Sequence, residues 1–170
     1  MGTTLTRFST NANFGIRAES SPGTMAHEWR SQLTRTIQLA ASLPAPPDQL
    51  YEIYLDPAKH AAITGSPVTI SAEPGAPFSA FDNVLTGTIL QVVPKRLIVQ
   101  SWRSPHWGAD DIDSTLILTF LPEQDGGRIE LTQVNVVETD FAGVSQGWEK
   151  FYWAPWRAYL AERSGTGSNP

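Results

Sequence analysis

The stretch HWGADDID, residues 106–113, brings together one histidine and three aspartates: His106, Asp110, Asp111 and Asp113. An imidazole beside carboxylates could bind a divalent metal or carry out acid–base catalysis at the mouth of a sheet. The carboxylates lack the alternating spacing of an EF-hand loop. We therefore favour a solvated loop between two strands, with a metal or acid–base site as the alternative.

Two further groups of ionisable residues are weaker candidates. Asp56 and His60 are four residues apart, but Pro57 lies between them, so helix capping or a surface contact explains them better than a metal site. Three glutamates could act as acid or base only if one faced a dry cavity, where its pKa would rise; the favoured alternative is that each points to solvent. These are Glu130, Glu138 and Glu149.

The familiar catalytic signatures are missing from the sequence. The 170 residues include three histidines and no cysteine, and no nucleophile elbow, phosphate loop, dinucleotide fingerprint or zinc motif occurs. This favours a protein without catalytic activity, cofactor or metal. A net charge of −5 disfavours nucleic acid as a partner, since binding it needs a basic face. No apolar run approaches the roughly 18 residues of a membrane span, and we expect a cytoplasmic protein.

Aromatic side chains dominate residues 145–160, SQGWEKFYWAPWRAYL, where six of sixteen residues are aromatic. At helical spacing they surround most of the helix, so it must be covered on more than one side. A curved sheet can supply the cover, or a ligand can complete it. The aromatic residues expected to line a ligand cavity between helix and sheet are Phe78, Phe81, Trp102, Trp107, Trp148 and Tyr152.

Ordinary core packing is the competing interpretation of these aromatic residues. We favour it for Phe151 and Tyr152, on the long helix. For Trp102 and Trp107, at the end of a strand and in the loop after it, a cavity rim is almost equally favoured. A buried indole N–H needs a polar partner, which suits a site with an apolar body and a polar edge.

Hydrophobic periodicity predicts a strand over residues 35–42, two short helices up to Gly65, a run of strands and one long helix ending near Arg163. The later strands are predicted at 67–72, 77–81, 85–93, 96–103, 114–121 and 128–137. Their short, turn-rich linkers make them antiparallel neighbours. The order predicts an α+β fold, with about seven strands in a sheet curved around the C-terminal helix.

Local signals refine this outline. Asp82 and Asn83 both tolerate positive φ and suit a tight hairpin. Along residues 128–137 the apolar positions change parity, which predicts a bulge. Ser145 is the predicted N-cap of the last helix, and Pro155 predicts a kink that leaves that helix continuous.

The chain divides by composition into three parts. Residues 1–24 are rich in Ser, Thr, Asn and Gly without a sustained period, and we predict a disordered leader over residues 1–30. Because residues 1–24 carry two arginines and no acid before Glu19, an organelle transit peptide is one alternative, and an upstream start with Met25 as the usual first residue is another. Residues 31–164 form the predicted domain, and residues 165–170 a flexible tail.

Longer motifs point to a known family. The segments AAITGSPVTI, PFSAFDNVLTGTILQVVPKRLIVQSWR, STLILTFLPE and VSQGWEKFYWAPWRAYL resemble the C-terminal domain of the activator of the 90-kDa heat-shock chaperone ATPase, in the START-like (SRPBCC) superfamily. The resemblance runs from about Thr34 to Leu160. It implies a helix-grip fold and the chaperone as a partner. Relatives usually have two glycines at the Asp82-Asn83 hairpin, and the full co-chaperone has a further N-terminal domain that we do not expect here.

Three functions follow from these observations. The favoured one is a non-catalytic domain that binds an apolar small molecule between the sheet and the C-terminal helix. The second, implied by the resemblance, is a co-chaperone that binds or stimulates the 90-kDa heat-shock chaperone. The third is an enzyme of the cyclase or hydrolase kind, which would need a titratable group inside the cavity.

Overall fold

A computed structural model of the chain describes residues 33–165, which form one antiparallel sheet with helices packed on its concave face. The strands are β1 Thr34–Leu43, β2 Pro77–Ala80, β3 Leu85–Val93, β4 Leu97–Trp102, β5 Ser114–Glu123 and β6 Gly126–Val137. The helices are α1 Pro47–Leu55, α2 Pro57–Thr64, α3 Phe141–Trp148 and α4 Ala154–Gly165. The strand order is β1-β6-β5-β4-β3-β2. The predicted α+β class and helix-grip arrangement are confirmed.

The core lies between the sheet and the long C-terminal helix. Along β5, alternate side chains are buried, and Leu116, Leu118 and Phe120 all face inward. This period of two places one apolar face of the strand against the helices. The proposed leader at residues 1–30 and all of the tail after Gly165 lie outside the described residues.

The described residues contain six strands, not about seven, because residues 67–72 do not form one. Thr69 makes a single two-way backbone bridge with Ser79. In an antiparallel ladder the next hydrogen-bonded pairs would be residue 67 with residue 81 and residue 71 with residue 77. Each pair includes a proline, Pro67 or Pro77, which has no N–H to donate, so the pairing stops after one bridge.

The bulge predicted in β6 is confirmed. The register with β1 shifts from Arg35 opposite Val136 to Ile37 opposite Gln133, which leaves one extra residue in β6. Asn135 has φ +62°, a left-handed conformation that asparagine tolerates better than most residues. The shift brings Gln133 to a fully buried inward position and still buries Val136.

The C-terminal helix starts earlier than predicted and crosses Pro155 without a break. A 3₁₀ turn, Glu138–Asp140, leads into α3, so Ser145 lies inside the helix and the N-cap prediction is wrong. Between α3 and α4, Glu149–Trp153 forms a π-helical turn in which the Ala154 N–H donates to the Glu149 carbonyl. The wider turn accommodates a proline ring that would otherwise collide with the preceding turn.

Among residues 33–165, no helix has both the length and the apolarity required to cross a lipid bilayer.

Candidate functional site

An open cavity of about 390 Å³ lies at one end of the core, where three elements meet. These are the hairpin between β2 and β3, the loop after β4, and the first half of the C-terminal helix. The lining residues are Phe81, Val84, Leu85, Trp102, Ser104, Pro105, His106, Asp140, Gly143, Val144, Gly147, Trp148, Phe151 and Tyr152. Most of the wall is aromatic or aliphatic, so the cavity suits an apolar occupant.

The β2–β3 turn positions one wall. The predicted hairpin at Asp82 and Asn83 is present, and Phe81 joins it, with φ values of +56°, +65° and +54° respectively. The turn holds the Phe81 ring edge-on to two rings of the helix, 5.9 Å from Phe151 and 5.8 Å from Tyr152 between centroids. The wall is therefore a set of interlocking aromatic rings.

Two glycines on the helix leave space in the opposite wall. Gly143 and Gly147 are four residues apart, so they lie on one face of α3. A Cβ built at Gly147 would meet only the Phe151 ring, at 3.6 Å, which is an ordinary van der Waals distance. A Cβ at Gly143 would lie 3.2 Å from Asp140 Oδ1, which is a tight contact. The cavity thus occupies space that a larger residue at position 147 would fill.

A chain of buried hydrogen bonds fixes the floor. The Trp148 Nε1–H donates to Gln133 Oε1 at 3.0 Å, and Gln133 Nε2 donates to Ser114 Oγ at 2.9 Å. Ser114 Oγ in turn donates to the Trp102 carbonyl at 2.8 Å. Because all four residues are buried, this chain locks the helix to β4, β5 and β6 in one arrangement.

Of the six aromatic residues predicted to line a cavity, four do: Phe81, Trp102, Trp148 and Tyr152. Phe78 is instead a core residue, only 1% exposed. Trp107 packs behind Trp102, with ring centroids 5.6 Å apart, and its Nε1–H donates to Asp140 Oδ2 at 2.9 Å. It supports the wall from outside.

Phe151 and Tyr152 are neighbours in sequence with opposite environments. The core prediction is correct for Tyr152, which is 3% exposed, and wrong for Phe151, which is 46% exposed at the cavity mouth. Sequence reasoning also missed Val84, which is 50% exposed. No local signal in the sequence marked Val84, because the residues of the turn and the loop join the wall through tertiary contacts alone.

The cluster at residues 106–113 is a loop organised by Arg103. The guanidinium donates to the carbonyls of Asp111 and Gly108 and binds Asp113 Oδ1 at 2.9 Å. Asp111 and Gly108 also bond to each other: Asp111 Oδ2 accepts the Gly108 N–H at 2.7 Å, and the Asp111 N–H donates to the Gly108 carbonyl at 3.1 Å. Two of the three carboxylates thus hold the loop in shape. In the part of the chain that is described, no three His, Asp or Glu side chains converge as metal ligands.

Asp56 caps α2 as predicted, accepting the N–H groups of Ala58 and Lys59 at 2.9 and 3.0 Å. The Lys59 N–H in particular stabilises the carboxylate and lowers the pKa of Asp56. His60 has no surface contact, contrary to expectation, because its ring is 1% exposed. Its Nδ1 lies 2.8 Å from the Tyr54 carbonyl, and burial lowers the pKa of His60 to about 4.

The three candidate glutamates all lie in exposed ion pairs outside the cavity. Glu130 pairs with Arg128 at 3.2 Å, and Glu149 pairs with Arg157 at 2.7 Å. Glu138 pairs with Arg35 of β1 at 3.5 Å. None of them is placed to act as an acid or base inside the cavity.

Two solved structures have similar folds. A crystal structure of a Plasmodium falciparum HSP90 activator matches with a TM-score of 0.67 at 18% identity, covering 74% of this chain and 96% of that one. A Mesorhizobium loti protein matches with a TM-score of 0.65 at 20% identity, covering 75% and 98%. At these identities the likeness establishes the fold.

Curated relatives share part of their length with this chain. The human activator of 90 kDa heat shock protein ATPase homolog 1 is 25% identical over 119 residues, which are 70% of this chain and 35% of the relative. The Dictyostelium discoideum homolog is 27% identical over 120 residues, or 69% and 30%. The chain therefore spans about a third of these relatives. The profile described as Activator of Hsp90 ATPase homolog 1-like protein matches residues 44–161, and the chain belongs to this family.

Proposed function

We propose that this protein is a non-catalytic domain that binds an apolar small molecule in the cavity between the sheet and the first half of the C-terminal helix. The observation that carries the proposal is the cavity itself, about 390 Å³ with mainly aromatic and aliphatic walls. This volume lies within the range of about 300–1,000 Å³ typical of small-molecule sites. Phe151 and Val84 add exposed apolar surface at its mouth.

The charge of the wall favours an uncharged or cationic ligand over an anion. Asp140 is the one acidic residue among those that line the cavity, and no Lys or Arg is among them. One oxygen of the Asp140 carboxylate, Oδ2, already accepts the Trp107 N–H. A ligand carboxylate or phosphate would meet a like charge, with no lysine or arginine in the wall to offset it.

The arrangement also favours binding over catalysis. A hydrolase or cyclase needs a general acid or base in contact with the reacting atoms. The candidate glutamates lie in exposed ion pairs elsewhere, and burial raises the pKa of Tyr152, which keeps its hydroxyl protonated. His106 and Asp140 are the other titratable residues of the wall, and Asp140 Oδ2 already accepts the Trp107 N–H. Binding is therefore the function that this mainly apolar wall supports best.

A cavity-filling variant tests the proposal. We expect N-phenyl-1-naphthylamine, an uncharged apolar fluorophore, to bind the wild-type protein saturably. Gly147→Leu places a side chain in the cavity and should weaken binding by at least about tenfold. Ala154→Leu adds the same side chain at an exposed position of the same helix and should leave binding unchanged.

The result that would contradict the proposal is equal affinity in all three proteins, or a fluorescence rise that never saturates. Circular dichroism of both variants checks that each retains the wild-type fold.

A second function, the co-chaperone, is supported by the family match and the names of the relatives. The human and Dictyostelium relatives are both named activators of 90 kDa heat shock protein ATPase. If this chain acts in the same way, adding it in excess should raise ATP turnover by the 90-kDa heat-shock chaperone. A flat response, with the protein shown to be folded, would reject this function and leave the ligand proposal intact.

A further inference from the structure

A cluster of buried polar side chains lies behind the cavity wall. Its members come from four elements that meet in the core: Tyr54 from α1, His60 from α2, Gln100 from β4 and Tyr152 from the π-helical turn. Each is at most 3% exposed. The Tyr54 and His60 rings lie 4.6 Å apart, and the His60 and Tyr152 rings 5.6 Å apart.

Three polar atoms of this cluster have no hydrogen-bond partner among the described residues: His60 Nε2, Gln100 Nε2 and Tyr152 OH. Buried polar atoms are nearly always paired, because leaving one unpaired in a dry interior destabilises the fold. Among the buried tryptophans, Trp148 and Trp107 donate to side-chain oxygens, whereas the indole N–H groups of Trp102, Trp153 and Trp156 are also unpaired. The cluster differs from these single donors because it combines an unpaired acceptor with unpaired donors on side chains that meet in one part of the core.

The atoms specify which polar group fits. A carbonyl oxygen can only accept, so His60 Nδ1 carries the proton that it donates to the Tyr54 carbonyl, and Nε2 is left as an acceptor. Gln100 Oε1 already accepts the Tyr54 hydroxyl at 3.2 Å, which leaves the amide N–H groups as donors. Tyr152 OH is a further donor. A hydroxyl group, which donates once and accepts twice, matches this set.

The cluster is also electrically neutral at pH 7. Burial holds the pKa of His60 near 4, so its imidazole is uncharged. Burial likewise raises the pKa of Tyr54 and of Tyr152, so both phenols stay protonated. An ionic group would find no counter-charge among these four side chains.

Tyr152 connects the cluster to the cavity, because its ring lines the cavity wall and also packs against His60. We propose that the cluster is the inner, polar end of the ligand site, and that the ligand is an uncharged alcohol or phenol whose apolar body occupies the cavity. Tyr54, His60 and Gln100 do not line the cavity, so the ligand hydroxyl reaches them only through a shift of the Tyr152 side chain that keeps the Tyr152 hydroxyl in the site as a donor. This inference rests on the proposed function.

Three probes with the same rigid rings test it by equilibrium dialysis: fluorene, 9-fluorenol and fluorene-9-carboxylate. We expect 9-fluorenol to bind the wild-type protein about tenfold more tightly than fluorene, since the three hydrogen bonds of its hydroxyl each contribute about two- to threefold in affinity. The carboxylate should bind more weakly than either.

Variants inside and outside the cluster show whether the cluster causes the preference for the alcohol. Tyr152→Phe and Gln100→Met should each reduce the preference for 9-fluorenol over fluorene by about three-fold or more. Trp153→Phe is the matched control, because its indole N–H is also buried and unpaired but does not line the cavity. It should keep the full preference. Without ligand, Tyr152→Phe should melt at the same temperature or higher, because the lost hydroxyl had no partner.

The outcomes separate the two claims. Equal binding of fluorene and 9-fluorenol by the wild-type protein would overturn the inference while supporting an apolar ligand in the cavity. Binding of neither would overturn the proposed function and the inference with it. A preference that survives in both Tyr152→Phe and Gln100→Met would also overturn the inference.

Discussion

The two ends of the C-terminal helix have similar aromatic content and opposite packing. Toward its C-terminus, Trp153, Trp156 and Leu160 are at most 3% exposed, and no residue from this end lines the cavity. Toward its N-terminus, Gly147 and Phe151 border an open cavity. Aromatic rings alone therefore do not decide whether a helix is sealed into a core.

The difference arises from what each end packs against. At the filled end the indoles of Trp153 and Trp156 stack with centroids 6.2 Å apart, and Tyr54 of α1 stacks on Trp156 at 6.4 Å. At the open end a turn and a loop stand opposite the helix, and two glycines face the gap. Packing of α1 against the helix fills the interior at one end. At the other end, the turn, the loop and the two glycines leave the cavity open.

The largest expected effect is a direct test of this contrast. Trp156→Ala should destabilise the protein by about 3–5 kcal/mol, because it removes a fully buried ring and leaves a void. Phe151→Ala should cost less than about 1 kcal/mol, because nearly half of the side chain is already exposed. Urea denaturation of both variants measures the two values. Equal costs would mean that the two ends do not differ in packing.

The next effect concerns His60, whose ring lies between the filled end and the cavity wall. Its pKa is about 4 in the folded protein and 6.5 in the unfolded chain, so the unfolded state binds the extra proton. Stability from the neutral ring is therefore complete above pH 6.5 and is lost as pH falls toward 4, by about 3 kcal/mol in total. As pH falls from 6.5 to 4, the free energy of unfolding should decrease less steeply in His60→Asn than in the wild-type protein. Parallel pH profiles for variant and wild type would contradict the burial of an uncharged ring.

A smaller loss of stability is expected when the hydrogen bond between the open end of the helix and β6 is removed. Gln133→Leu should cost about 2 kcal/mol, because it leaves the Trp148 N–H without its acceptor and removes the hydrogen bond to Ser114. Thermal and urea denaturation give the value. When Gln133→Leu is made in the Trp148→Phe variant, it should lower the free energy of unfolding by less, because that variant has no indole N–H to lose its acceptor. If the two costs are equal, this hydrogen bond does not stabilise the cavity floor.

The smallest expected effect has the opposite sign. Gly147→Ala should stabilise the protein by up to about 1 kcal/mol, because alanine is the better helix former and its Cβ meets no backbone atom. The same variant narrows the cavity, so N-phenyl-1-naphthylamine should bind more weakly. Gly87→Ala is the contrasting control, because its Cβ would collide with the main-chain oxygen of Ser101. A loss of stability in Gly147→Ala would mean that the open end is already filled.

Local patterns in the sequence were sufficient for most of the fold. Alternation with period two located β1, since a strand with one buried face must alternate, and segments bounded by turn residues located β2 to β6. The change of parity after Leu131 predicted the bulge, because only an extra residue lets Val136 face the same side. The proline at position 57 and the aspartate before it predicted the capped start of α2. The same patterns overpredicted a strand at residues 67–72, where proline spacing limits the pairing to one bridge.

The sequence by itself determined the fold class, the aromatic helix and four of the six residues predicted to line a cavity. Tertiary structure alone decided that Phe151 is exposed while Tyr152 is buried, that His60 lies in the core, and that the two helical glycines face open space. The physical reason is that periodicity records which face of an element is apolar. It does not record what stands opposite that face, and a cavity is a property of both sides.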